Sequence, residues 1–202
     1  MIVARHLTKA YGTTPVVRDV SLEIPRGGLT SIIGPNGAGK STLLGLLSRL
    51  LPATSGSVHV DDLDVAHAPS DVLARRLSIL RQDNLITARL TVRELVAFGR
   101  FPHSKGRLTA EDKRRTDDAI RYLGLEDLSD RFLDEMSGGQ RQRAFVAMVL
   151  CQDTDYVLMD EPLNSLDMRH AAGMMKLIRK IADELGKTFV LVLHDINFAS
   201  TY

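Results

Sequence analysis

The apolar positions change period several times along the chain, and each change predicts an element. From Val16 to Ile24 they fall at Val16, Val20, Leu22 and Ile24 among polar residues, the alternation of half-buried strands. The first 30 residues as a whole read as strands with turns. Leu29–Ile33 is a short apolar run leading straight into glycines, and Lys40–Leu51 is an apolar-rich helix that Pro52 stops. Short strands are expected at Ser57–Val60 and Leu77–Leu80. From about Asp83 to Cys151 the pattern turns helical. Thr91 with Glu94, and Thr109 with Asp112 as a weaker partner, have capping-box spacing. Another helix, carrying Phe145, Val146, Met148, Val149 and Leu150, follows Ser137-Gly138-Gly139. Tyr156–Met159 and Thr188–Leu193 are continuous β-rich apolar runs, of the kind buried on both faces of a parallel sheet. Between them Met168, Ala171, Ala172, Met175, Ile178, Ala182 and Leu185 recur at helical spacing, with the methionines read as core. Gly186 stands where a C-cap glycine belongs. The prediction is an α/β fold: one domain with a core from residues 1–85 and 152–202, interrupted by a mostly helical insertion at 86–151.

Composition fits that picture. A chain of 202 residues, 44% hydrophobic and 25% charged, can bury a core of its own, which excludes a disordered or collagen-like class. The net charge of +1, from 26 basic and 25 acidic residues, lacks the basic excess of a nucleic-acid binder. Arg75-Arg76 and Lys113-Arg114-Arg115 have acids close by, at Asp71 and Glu111-Asp112, and read as solvated helix faces. No nucleic-acid partner is expected. Cys151, alone of its kind, can form no internal disulfide, is compatible with a reducing cytosol and reads as a small core residue. No apolar run approaches the roughly 18 residues that span a bilayer, and Met1–His6 lacks the apolar core of a signal peptide. A membrane role would have to come through a partner.

The chemistry concentrates in a few runs. Gly34-Pro35-Asn36-Gly37-Ala38-Gly39-Lys40-Ser41 has the spacing Gly-x4-Gly-Lys-Ser, between a predicted strand and a predicted helix. Glycines let successive backbone N–H groups turn inward as an anion nest, and the helix N-terminus adds partial positive charge. Lys40 would reach the β- and γ-phosphates of a nucleotide, the Ser41 hydroxyl would bind Mg2+, and Thr42 would add a phosphate contact. Tyr156–Met159 ends in Asp160-Glu161, two carboxylates where open α/β sheets bind ligands. Asp160 would hold the Mg2+ shell, and Glu161 would orient or deprotonate the attacking water. His194 ends the next strand and falls on the same edge, near the γ-phosphate. Gln82 follows Leu77–Leu80 to that edge too, where its amide could touch Mg2+ or water.

Met136-Ser137-Gly138-Gly139-Gln140, followed by Arg141-Gln142-Arg143, completes an ordered set of five motifs by which the whole chain resembles ABC transporter ATPases. The resemblance implies the ABC ATPase fold: a P-loop core of mainly parallel sheet, N-terminal antiparallel strands and an inserted helical subdomain bearing the signature. It implies ATP and Mg2+ as ligands and a head-to-tail dimer of two copies. Ser137, Gly138, Gly139 and Gln140 of one copy would then meet the nucleotide held by Gly34–Thr42 of the other. Tyr11 matches the aromatic that stacks on adenine, and Asp167, in Leu163-Asn164-Ser165-Leu166-Asp167, the loop that crosses the dimer interface. Further implied are a polytopic permease, met by the segment from Gln82 to about Lys105, an indirect substrate-binding protein, and a peripheral place on the cytoplasmic face of the membrane. Met136 replaces the usual Leu, a volume-conserving change.

The Asn-containing loop, Phe98-Gly99-Arg100-Phe101-Pro102-His103 and His194-Asp195-Ile196-Asn197-Phe198-Ala199 look most like ATPases of ferric catecholate-siderophore importers. Importers of haem or vitamin B12, exporters and soluble non-transport ABC ATPases remain alternatives. Relatives continue past the switch histidine, whereas this sequence stops eight residues after His194. The resemblance implies that the missing part would cover the sheet edge and support the dimer. Whether the sequence is a piece of a longer chain or a naturally short one, and whether it is stable and active alone, stays open at this point.

Overall fold

The computed structural model describes residues 1–82, 84, 86, 88–164 and 166–201, with Ile196 described in its backbone alone. Ser165 of the interface loop and Asp83, at the start of the helical pattern, lie outside the described residues. Two four-stranded sheets form the core. The first is antiparallel, in the order β2 (Thr14–Ile24), β1 (Ile2–Tyr11), β4 (Ser55–Val60) and β5 (Leu63–Asp64). The second is parallel, in the order β3 (Gly28–Ile33), β8 (Thr188–Leu193), β7 (Tyr156–Asp160) and β6 (Leu77–Leu80).

Successive side chains of the parallel strands feed two cores, as a period of two requires. Tyr156, Leu158, Val190 and Val192 face the antiparallel sheet and α1 (Lys40–Leu47), which touches strands of both sheets. Val157, Met159, Phe189, Leu191 and Leu193 face the other way. There they meet a helical layer that includes α3 (Val92–Phe98), α5 (Ala110–Tyr122), α6 (Gly138–Cys151) and α7 (Met168–Leu185). Burial on both faces explains why β7 and β8 are apolar without alternation. The short helices α2 (Ser70–Ala74), α4 (Phe101–Ser104) and α8 (Ile196–Thr201) complete the α-helices of the described residues.

Helix starts follow the capping chemistry. Thr91, Thr109 and Ser137 each close a full capping box, with Glu94, Asp112 and Gln140 as partners, and Gly186 ends α7 in the left-handed conformation. Asp112 is a complete partner, not a weak one, because its Oδ2 accepts from both the N–H and the hydroxyl of Thr109.

Three details depart from the pattern. Helix α1 ends at Leu47 and not at Leu51, because the Ser48 hydroxyl donates back to Leu44 O and Gly45 O and Arg49 turns left-handed. Met168 is 73% exposed at the start of α7, whose buried face instead uses Ala171, Met174, Met175, Ile178, Ile181 and Ala182; Leu185 is also exposed. In β2 the inward residue is Val17, not Val16. Leu7 pairs with Val20 but Lys9 with Val17, so β2 carries one extra residue there, and Asp19 adopts a φ of 47°. A bulge of this kind inverts the facing of the residues beyond it.

Candidate functional site

Parallel strands side by side deliver their C-terminal loops to one edge. Here β3 runs into Gly34, β6 into Gln82, β7 into Asp160-Glu161 and β8 into His194. A cavity of about 560 Å³ opens at that edge. Its walls include Asn36, Gly37, Gly39, Lys40, Ser41 and Thr42 on one side and Gln82, Glu161, Asn164 and His194 on the other.

The glycine loop is shaped by its backbone. Gly39, at the N-cap of α1, has φ 87°, and a Cβ there would stand 2.9 Å from Val16 O. Only glycine satisfies both the conformation and the contact. No side chain caps α1, so its first N–H groups remain available to an anion. The Lys40 ammonium donates to Gly34 O at 2.8 Å and Pro35 O at 3.0 Å, and the Ala38 N–H donates to Pro35 O. The loop thus supplies the lysine with carbonyl partners that phosphate oxygens could replace.

Opposite it, the Ser41 hydroxyl donates to Asp160 Oδ1 at 3.0 Å. Burial raises the Asp160 carboxyl above the ordinary range; the Ser41 hydrogen bond opposes that shift and the nearby Glu161 charge adds to it. Glu161 adopts φ 52°, left-handed for a residue with a Cβ, which is strain of the kind held at functional sites. Its carboxylate contacts His194 Nε2 through Oε1 and accepts from Asn164 Nδ2 through Oε2 at 2.6 Å. Ser41, Asp160 and Gln82 offer oxygen ligands, the set that suits a hard cation such as Mg2+.

The remaining predicted residues stand apart from this cavity. Tyr11, at the end of β1, is 53% exposed, with the Lys9 ammonium 5.1 Å from its ring centre. Ser137, Gly138, Gly139 and Gln140 form the first turn of α6, and Gly139 lies against Leu166 and His170. Asp167 caps α7, accepting from the His170 N–H and pairing with its ring. The Gln142 amide donates to Pro162 O at 3.0 Å, which ties α6 to the loop after Glu161.

Two cavity residues escaped sequence reasoning. Val16 reaches the wall because the β2 bulge turns it away from the core. In the sequence Asn164 stands out only as a mark of subgroup. Its signal was an amide three residues after the paired carboxylates, at the end of a turn in which its N–H donates to Glu161 O.

A family model described as ABC transporter matches residues 17–164. The chain belongs to that family and is its ATP-binding, ATP-hydrolysing subunit. It is 52% identical over 202 residues to the petrobactin import ATP-binding protein YclP of Bacillus subtilis (strain 168), covering 100% of this chain and 80% of that one. It is 43% identical over 198 residues to the ferric enterobactin transport ATP-binding protein FepC of Escherichia coli (strain K12), covering 97% and 73%. Among solved structures it resembles the ATP-binding cassette MJ0796, a dimer bound to ADP and Pi in a post-hydrolysis state. The TM-score is 0.85 at 31% identity, over 98% of this chain and 90% of that one.

Proposed function

We propose that this chain is the motor of an importer for a ferric siderophore, working as a head-to-tail pair of copies on the cytoplasmic face of a polytopic permease. The convergence of Lys40, Ser41, Gln82, Glu161 and His194 on one cavity carries the enzymatic half of the reading. The identities to two siderophore-import ATPases support the cargo. No described helix is long and apolar enough to cross a membrane, which agrees with a peripheral subunit.

The proposed chemistry starts from the resting contacts. On ATP binding, the Lys40 ammonium exchanges the Gly34 and Pro35 carbonyls for β- and γ-phosphate oxygens, and the α1 N-terminus and loop N–H groups cradle the rest. Mg2+, held by Ser41 and Asp160 with Gln82 beside it, would offset phosphate charge. A water oxygen bonds to Pγ while the bond from Pγ to the bridging oxygen breaks and its electron pair leaves with ADP. Glu161 accepts the water's proton, and His194, in contact with Glu161, faces the γ-phosphate. Tyr11 would stack on adenine. Ser137, Gly138, Gly139 and Gln140 of the second copy would close over the γ-phosphate, with Asp167 at the seam. Residues 86–151 would move as a helical unit. The stretch from Gln82 to about Lys105 would meet the permease, and the exposed Phe98 and Phe101 there suit an apolar contact.

Deleting the gene and growing cells under iron limitation with single defined siderophores tests the cargo. Loss of growth on one siderophore, restored by the wild-type chain and not by Lys40→Ala, is the expected result. Undiminished growth on every siderophore would remove the iron assignment and leave the ATPase reading standing.

A further inference from the structure

The loop after Glu161 carries a polar side chain that the ATPase reading leaves without a task. Asn164 and Glu161 are joined twice, by the Asn164 N–H to Glu161 O at 3.1 Å and by Asn164 Nδ2 to Glu161 Oε2 at 2.6 Å. The other carboxylate oxygen, Oε1, is in contact with His194. Glu161, Asn164 and His194 together line both the 560 Å³ cavity and a smaller recess of about 180 Å³ behind it. That recess is walled mainly by apolar side chains such as Leu166, Ala171, Val192 and Phe198. The three polar residues therefore form a partition, with the phosphate loop on one side and an apolar hollow on the other.

A glutamate has three side-chain torsions, and a base must meet its water within about 0.5 Å of the productive place. The left-handed backbone of Glu161 sets where the side chain starts, and that side chain is only 8% exposed. Two contacts, one to each oxygen, are enough to set the plane of the carboxylate group. We propose that Asn164 is a positioning residue for hydrolysis: its amide holds Glu161 Oε2 so that the carboxylate keeps one orientation toward the phosphate cavity. The inference rests on Glu161 being the base, and it adds the residue that aims it. The donor must be neutral. An acid at 164 would set two carboxylates at hydrogen-bonding distance, and a hydroxyl would fall one atom short of the amide.

The test is steady-state ATP hydrolysis by the full chain carrying Asn164→Ala, Asn164→Ser or Asn164→Asp, beside Glu161→Gln. Asn164 is exposed, so the variants should melt with the wild type. Asn164→Ala should lower kcat about tenfold, and the isosteric Asn164→Asp about a hundredfold, with KM for ATP within about twofold. Asn164→Ser should fall between wild type and Asn164→Ala. Adding Asn164→Ala to Glu161→Gln should cost nothing further, since the group being aimed is already gone. An Asn164→Asp kcat within about twofold of wild type, or a loss confined to KM, overturns the positioning role while an inactive Glu161→Gln keeps the base assignment. Normal turnover by Glu161→Gln removes the base and the positioning role together.

Discussion

Gly99 has no conformational need for glycine, since its φ is −56°, yet a Cβ there would stand 2.1 Å from Met148 O and 3.1 Å from Gln152 N. Helices α3 and α6 approach backbone to backbone at this point. Only an outward shift of one helix could admit a methyl group, and the neighbours Leu95, Val96 and Val149 are fully packed. Gly99→Ala should cost about 3 kcal/mol, a fall in melting temperature of roughly 10 °C. Thermal unfolding measures it, and a midpoint unmoved within about 2 °C would contradict the close approach. The glycine is conspicuous in the sequence, but nothing nearby in sequence announces Met148 as its neighbour. The cavity shows the same divide. Lys40, Ser41, Asp160 and Glu161 are legible because a nest, a cation and paired acids need those residue types in unbroken runs. Val16 is not, because a single bulge in β2 turns it from the core to the wall. Asn164 is not, because its task depends on which carboxylate oxygen it reaches.

Between elements, a buried ion pair ties α5 to the start of α4. Arg100 is buried, and its Nε donates to Asp112 Oδ1 at 2.9 Å while Nη1 donates to Cys151 O at 2.9 Å. Asp112 therefore serves two elements, capping α5 through Oδ2 and neutralising Arg100 through Oδ1. The Thr109 N–H and hydroxyl, with Arg100 adding to them, lower its carboxyl to about 2. Removing it leaves a guanidinium buried without its counter-ion. Asp112→Ala should cost about 3 kcal/mol or more, whereas replacing Arg100 and Asp112 together with apolar residues should cost much less. The pH dependence has a definite sign. A depressed carboxyl contributes its full stability above its unfolded value, near 3.9, and loses it as pH falls toward about 2. The wild-type advantage over Asp112→Asn in denaturant unfolding should hold at pH 5 and shrink steadily below pH 4. An advantage constant down to pH 2.5 would mean that Asp112 acts by packing alone. Thr109 and Asp112 could be read as a cap from spacing, but the pairing with Arg100 needed the turn at α4, which local pattern did not reveal.

Across the whole molecule, the phosphate loop and the Ser137–Gln140 run are spatially separate. The cavity is lined by residues of Gly34–Thr42 and by Gln82, Glu161, Asn164 and His194, while Ser137–Gln140 open α6 elsewhere. On the proposed reading, a single copy would offer a helix N-terminus at Lys40 to one side of a phosphate, and a second copy would be needed to bring another to the far side. Water facing a γ-phosphate screens the donors that would stabilise its transition state, and closure by a second α6 N-terminus would exclude it. Turnover per chain should therefore rise with protein concentration until the dimer saturates. Glu161→Gln, which keeps the phosphate loop and removes the base, should with MgATP give a stable species of twice the monomer mass by light scattering. Ser137→Arg, at an exposed cap away from the cavity, should leave ATP binding to the single copy intact yet block both the doubling of mass and hydrolysis. The contrast with Lys40→Ala is decisive, because that change should abolish binding itself. Hydrolysis by Ser137→Arg at the wild-type rate, or a rate per chain independent of concentration while the mass stays monomeric, would show that one copy suffices. The α6 N-terminus would then have no part in the reaction.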